Sequence, residues 1–190
     1  MIFGTATLGE RTVRMENAIG SAARHSNRNV LAPRERGALW AIMAFSLGGG
    51  IVAGYLVKLH AAIAGNPKRG LCTFTDTLSC DKVLASPYAE IAGVPVALIG
   101  LGGFGLLFGL AAWRLVLGER SPRGLPFLLF LVAGLGLAFE LGMTWVEFFV
   151  IEAVCPYCLA ALGLIAATFG SSLVAWRKAR LSYQREERNV

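Results

Sequence analysis

Apolar positions in this chain neither alternate with polar ones nor recur every three or four residues. They run in four long blocks, at residues 38–57, 91–113, 125–151 and 153–176. A helix rises 1.5 Å per residue, so about 20 apolar residues cross the roughly 30 Å hydrocarbon core of a bilayer. Each block therefore predicts a membrane-crossing helix. The fold class that follows is all-α: a polytopic membrane protein built as a four-transmembrane-helix bundle. Only the third block contains charged side chains, Glu140 and Glu147. The expected organisation is a disordered cytoplasmic tail at 1–36, a four-helix domain at 37–176 and a basic cytoplasmic tail at 177–190.

Composition agrees with the pattern. The hydrophobic content is 55%, only 16% of residues are charged and the mean hydropathy is +0.59, values too apolar for an ordinary soluble domain. The first 30 residues lack the apolar core and small-residue cleavage site of a signal peptide. Their Ser, Asn and Arg content cannot bury a core.

The net charge of +6 raises nucleic acid as a partner, but the placement of the 18 Lys and Arg residues says otherwise. Fourteen lie before the first block, at the turn between the second and third, or after the fourth. The segment between the first and second blocks holds Lys58, Lys68, Arg69 and Lys82, and the turn between the third and fourth holds none. The positive-inside rule then puts both termini in the cytoplasm. Basicity reports topology here, and no nucleic-acid partner is expected.

With that topology all four cysteines, Cys72, Cys80, Cys155 and Cys158, fall on the outer, Lys/Arg-poor face, where disulfides persist. Cys155 is expected at or near the N-cap of the last helix and Pro156 at its first position, where a missing N–H costs nothing. The free N–H groups and positive dipole end there favour a thiolate. A vicinal pair alone leaves metal binding, a structural staple and redox use open. A second pair in the polar loop "GLCTFTDTLSCDKVLASPY" points to redox use, because two dithiols on one face can exchange through mixed disulfides.

Three stretches in this order, the loop pair followed by "DKVLASPY", "GVPVALIGLGGFG" opening the second block, and "EFFVIEAVCPYCL" before the last, resemble the vitamin K epoxide reductase family in its bacterial form, over roughly residues 38–176. The resemblance implies a catalytic four-helix bundle around a quinone site, with an outer cysteine-bearing loop and a short surface helix between the first two spans. It implies a quinone of the ubiquinone, menaquinone or vitamin K type as electron acceptor. Cys158 would be the cysteine nearest the quinone, Cys155 its partner, Cys80 the loop cysteine that bridges to Cys155, and Cys72 the one that meets a thioredoxin-like or DsbA-like protein outside. Ser86 matches a loop serine near the quinone, and its hydroxyl would hydrogen-bond a quinone oxygen. No fused thioredoxin-like domain follows the last block, so a separate thiol partner in support of disulfide formation is expected. Leu162 stands where the animal enzymes that recycle vitamin K carry a tyrosine.

Other signals are weaker. An ionised Glu140 inside a span costs about 2.5–3.5 kcal/mol, so it is either a proton donor or a packed, hydrogen-bonded carboxyl. Glu147, seven residues on and before CPYC, is expected to support the site. Trp145, Phe148, Phe149 and Tyr157 form either an aromatic belt or a quinone wall, and Tyr88 could cap the pocket from the loop. "GLGGFG" literally matches a dinucleotide fingerprint but follows no strand, so helix packing explains it. His25 and His60 show no ligand spacing and are expected to be solvated. Three alternatives compete: a DsbB-type oxidase, in which the close and wide cysteine pairs occur in the opposite order; a structural zinc site; and a passive disulfide-stapled scaffold. The zinc reading is disfavoured by the wide Cys72/Cys80 spacing and the absence of a helping histidine.

Overall fold

The computed structural model describes residues 14–16, 33–65, 75 and 77–188. Helix α1 (Pro33–Gly65) leads to the outer loop, which contains the short helix α2 (Cys80–Leu84), a 3-10 turn (Pro87–Ala89) and a hairpin of β1 (Glu90–Ile91) and β2 (Val94–Pro95). Helices α3 (Val96–Leu117) and α4 (Leu125–Val146) follow. A π turn (Glu147–Ile151) then leads to α5 (Pro156–Arg188). Among the described residues, four segments have the length and apolarity to cross a membrane: Glu35–Ala64, Val96–Leu117, Leu125–Ile151 and Pro156–Arg185. The protein is an all-α polytopic membrane protein, with the short surface helix between the first two spans.

Burial follows the rule for a lipid-facing bundle rather than a soluble one. Leu47, Ile51, Leu98, Leu106, Val116, Leu135 and Leu141 are large, apolar and exposed, as side chains bathed in acyl chains can be. Helix α1 packs most extensively, against α3 and α5, while α4 leans mainly on α5 and the α3–α4 seam is sparser. Leu39, Ile42, Phe104, Leu107, Leu129 and Ile165 belong to the main core. A second cluster, at the end that carries the cysteines, packs Leu56, Leu59, Val83 and Leu84 around Cys80 and Cys155. Gly49 permits the close approach of α1 and α3, since a Cβ there would lie 2.3 Å from the Phe104 ring.

The second span begins at Val96, not near residue 91. Ala92 and Gly93 both have positive φ, 53° and 79°, and turn the chain back so that Glu90 pairs with Pro95 and Ile91 with Val94. Those residues are apolar enough for a helix, but a tight turn at Ala92–Gly93 takes them instead. The last helix runs unbroken past residue 177 to Arg188, so that boundary is not a break in secondary structure. Of the expected N-terminal tail, all but residues 14–16 and 33–36 lies outside the described residues.

At the end opposite the cysteines, Arg114 is buried rather than reaching for water. Its Nη2 and Nε donate to Glu35 Oε1 at 2.9 and 3.2 Å, and its Nη1 donates to the Gly118 carbonyl at 2.9 Å and to Ser121 Oγ. Ser121 Oγ in turn donates to the Gly118 carbonyl at 2.9 Å. The cluster ties the start of α1 to the end of α3 and the following turn.

Candidate functional site

Two backbone segments set the site. The Val154 N–H donates to the Thr77 carbonyl at 2.8 Å, and the Ser79 N–H donates to the Val154 carbonyl at 3.2 Å. This parallel bridge between Leu78 and Val154 lies just before a cysteine on each strand of chain. Ser79 then caps α2, its Oγ accepting the Lys82 N–H at 3.3 Å, which starts that helix at Cys80. Cys155 caps α5 in the expected place: its carbonyl accepts the Leu159 N–H at 3.1 Å and Pro156 opens the helix. The bridge therefore aligns two helix starts, and the Cys80 and Cys155 sulfurs stand 2.6 Å apart. Both side chains are fully buried.

Glu147 locks this arrangement from α4. Its Oε2 accepts the Cys155 backbone N–H at 3.0 Å, and its carboxyl also faces the Cys158 thiol. The π turn makes the contact possible. The Glu147 carbonyl accepts the N–H groups of Glu152 and Ala153, and Glu152 takes the left-handed conformation at φ 54°, reversing the chain into α5. Such turns add a residue to the helical register and recur at functional sites.

The expectation of a Cys155 thiolate is not met. The Cys158 thiol hydrogen-bonded to it, together with burial, pushes the Cys155 thiol up to about 12, against an opposing effect of Cys80. The dipole of α5 is outweighed by an apolar, thiol-lined surrounding.

Cys158 lines a narrow, partly open cavity bounded by Leu56, Leu84, Val96, Gly100, Phe104, Met143, Ile151 and Ala161. Its polar wall is His60, Ser86, Tyr88, Glu140 and Glu147. An apolar chamber with a few convergent polar groups suits a flat, lipid-soluble ring. Ser86 is present but turned: its Oγ donates to the Val83 carbonyl at 2.7 Å, so it offers the cavity an acceptor rather than the expected donor. Tyr88 is half exposed at the rim. Glu140 lines both this cavity and an adjoining space between α3 and α4. Trp145 and Phe149 are not brought to the cavity. They pack on each other with centroids 5.5 Å apart and are 58% and 70% exposed, facing outward. Phe148 is also exposed, and Tyr157 packs on Tyr55. Cys72 lies outside the described residues. No group of three His, Cys, Asp or Glu side chains is arranged to hold a metal among the described residues.

Sequence reasoning missed His60. Rather than being solvated, it is 13% exposed, donates from Nε2 toward Glu90 Oε1 at 3.0 Å and lines the cavity. Its partner is thirty residues away on the hairpin, and no local spacing reveals such a pair. The bridge at Leu78 and Val154 was equally invisible, because it depends on backbone pairing between distant segments.

The model of the vitamin K epoxide reductase family matches residues 40–173, which include α2, the hairpin and all but the ends of the four spans. With the cysteines, the Glu147 contact and the cavity lying inside that match, the chain belongs to the vitamin K epoxide reductase family and is a membrane oxidoreductase.

Proposed function

We propose that the protein passes two electrons from a thioredoxin-like or DsbA-like thiol partner, through its two cysteine pairs, to a quinone, in support of disulfide formation. The observation that carries this reading is the chain of sulfurs: Cys80 touches Cys155 at 2.6 Å, and Cys158, one helical turn on, opens into the apolar cavity. In the proposed orientation both termini are cytoplasmic and the cysteines face the outer side of the plasma membrane, which the fourteen-to-four distribution of Lys and Arg supports.

The partner's dithiol reduces a Cys72–Cys80 disulfide and is itself oxidised. The Cys80 thiolate then attacks Cys155 of a Cys155–Cys158 disulfide, forming the Cys80–Cys155 bond and releasing the Cys158 thiolate. In this step Cys155 is the sulfur attacked and Cys158 the one that leaves. Cys72 next closes back on Cys80, leaving Cys155 and Cys158 reduced. A bound quinone would supply the electron acceptor, taking two electrons and two protons as these thiols return to the disulfide. Glu147 holds the Cys155 backbone during the exchange, and Leu56, Val96 and Phe104 exclude water.

The test is to mix the reduced protein in detergent with a short-tailed ubiquinone and follow quinone absorbance. Turnover is expected in the wild type and loss of it in Cys158→Ala. Unchanged turnover in that variant would overturn the assignment.

A further inference from the structure

From Pro156 to Trp176 helix α5 carries no charged side chain, and Arg177 is its first. That stretch is about 30 Å long at 1.5 Å per residue, so Trp176 stands where hydrocarbon gives way to headgroups, at the end opposite the cysteines. The helix does not stop there. It continues to Arg188 and passes beside the turn between α3 and α4. Between Arg177 and Arg188 five cations stand against two carboxylates, and the turn adds Arg120 and Arg123 against Glu119. Cations thus outnumber carboxylates seven to three, and pairing within this end leaves a surplus of four.

Two of these cations are held in place by aromatic rings. Trp176 stacks on Phe130 of α4, with ring centroids 5.0 Å apart and 16° between the planes, and the Arg180 guanidinium lies 5.8 Å from the Trp176 centroid. The Arg123 guanidinium lies 5.6 Å from the centroid of Tyr183. Trp176, Arg180 and Tyr183 follow one another at helical spacing, so they share the face of α5 that is turned to the start of α4. Arg123 and Arg180 are both exposed, and neither forms an ion pair among the described side chains. A guanidinium is attracted to the face of a ring while the N–H groups at its own edge stay free to donate. The seam therefore presents two pre-positioned forks of donors. Beside them Phe127 packs on Trp176 at 6.0 Å and is exposed.

We propose that the α4–α5 seam at this end binds the headgroup of an anionic phospholipid, with its phosphate gripped by Arg123 and Arg180 and an acyl chain lying along Phe127. Arginine forks match phosphate oxygens two at a time. The charge surplus selects the class of lipid: a zwitterionic headgroup carries its own cation beside the phosphate, whereas an anionic one brings only the attracted charge. Depth selects the source, because donors at the end of an apolar span meet lipid phosphates held at the same level. Bound there, one phosphate joins the turn before α4 to the extension of α5. The site lies at the other end of the bundle from the cysteines and does not depend on the redox reading.

The experiment is native mass spectrometry of the full chain in neutral detergent, offered equal amounts of phosphatidylglycerol and phosphatidylcholine. The wild type should retain phosphatidylglycerol about thirtyfold better, the scale of two basic side chains beside an anionic headgroup. Arg123→Gln combined with Arg180→Gln should bind the two lipids alike. Arg185→Gln combined with Arg188→Gln removes the same charge further along α5 and should keep the preference. Arg123→Lys with Arg180→Lys keeps the charge but loses the planar forks; it should lose most of the preference, and it serves if the Gln variant fails to fold. Inorganic phosphate, compared with chloride at matched ionic strength, should leave the lipid bound. Full preference surviving in the Gln or the Lys variant overturns the site, and so does equal loss in the Arg185 and Arg188 variant, which would mean diffuse charge. Displacement of the lipid by inorganic phosphate would make a free anion the ligand and overturn it as well.

Discussion

The Glu147 carboxylate accepts the backbone N–H of Cys155, eight residues further on, at 3.0 Å. The bond spans the π turn and fixes the N-cap of α5 from the end of α4. One carboxylate thus holds the backbone of the buried Cys155 while also facing Cys158.

Removing that acceptor should disturb chemistry and stability together. In Glu147→Ala the Cys155 N–H is left buried and unpaired, at a cost of about 1–3 kcal/mol. Glu147→Gln keeps an amide oxygen in place and should retain more of both. Thermal melting in detergent, alongside the rate of Cys80–Cys155 disulfide formation, distinguishes the two. Equal behaviour of Ala and Gln variants would show that the contact does not orient the cysteine.

The sulfur contact makes a second expectation. With Cys72→Ala and Cys158→Ala removing the competing partners, mild oxidant should join Cys80 to Cys155, because their sulfurs already stand 2.6 Å apart. Mass spectrometry of the digested protein should find the two peptides linked. Recovery of both cysteines as separate alkylated peptides would mean that the segments do not pair in solution.

The raised Cys155 thiol gives a signed pH dependence. Its folded value is about 12 against an ordinary value of 9.0, so the folded, reduced protein keeps a proton that the unfolded chain loses. The corresponding stability is present below about pH 9 and disappears as pH climbs toward 12. Chemical denaturation of the reduced protein should show this decline, and Cys155→Ser should flatten it. A reduced protein that gains stability over that window would contradict the assignment.

Far from the cysteines, Arg114 and Glu35 are 1% and 3% exposed and make a buried pair. Glu35→Gln weakens one partner, whereas Arg114→Met strands the Glu35 charge and should cost about 3–5 kcal/mol. Combining Glu35→Gln with Arg114→Met should recover part of the loss. Melting temperatures of the single and double variants in one detergent provide the cycle, and strict additivity would deny the coupling.

Block length and charge placement carried the four spans, because crossing a bilayer is a demand each helix meets within its own residues. The start of α5 at Pro156 was also legible, since proline's fixed φ and missing N–H act locally. The start of the second span was misread because hydrophobicity does not distinguish the β1–β2 hairpin from a helix; the positive φ values of Ala92 and Gly93 do. Trp145 and Phe149 have the right chemistry for a cavity wall, but the rotation of α4 and its π turn face them outward.

The sequence by itself determined the number of spans, the cysteine spacing and the residue types available for redox work, because hydrophobic length, proline geometry and thiol chemistry belong to single residues or short runs. Only the tertiary structure decided that Cys80 meets Cys155, that Glu147 holds the Cys155 backbone and that His60 finds Glu90. Each of these is a contact between segments whose separation in the chain carries no energy term of its own. It exists only once backbone pairing at Leu78 and Val154, the π turn and the hairpin have brought the partners within a few ångströms.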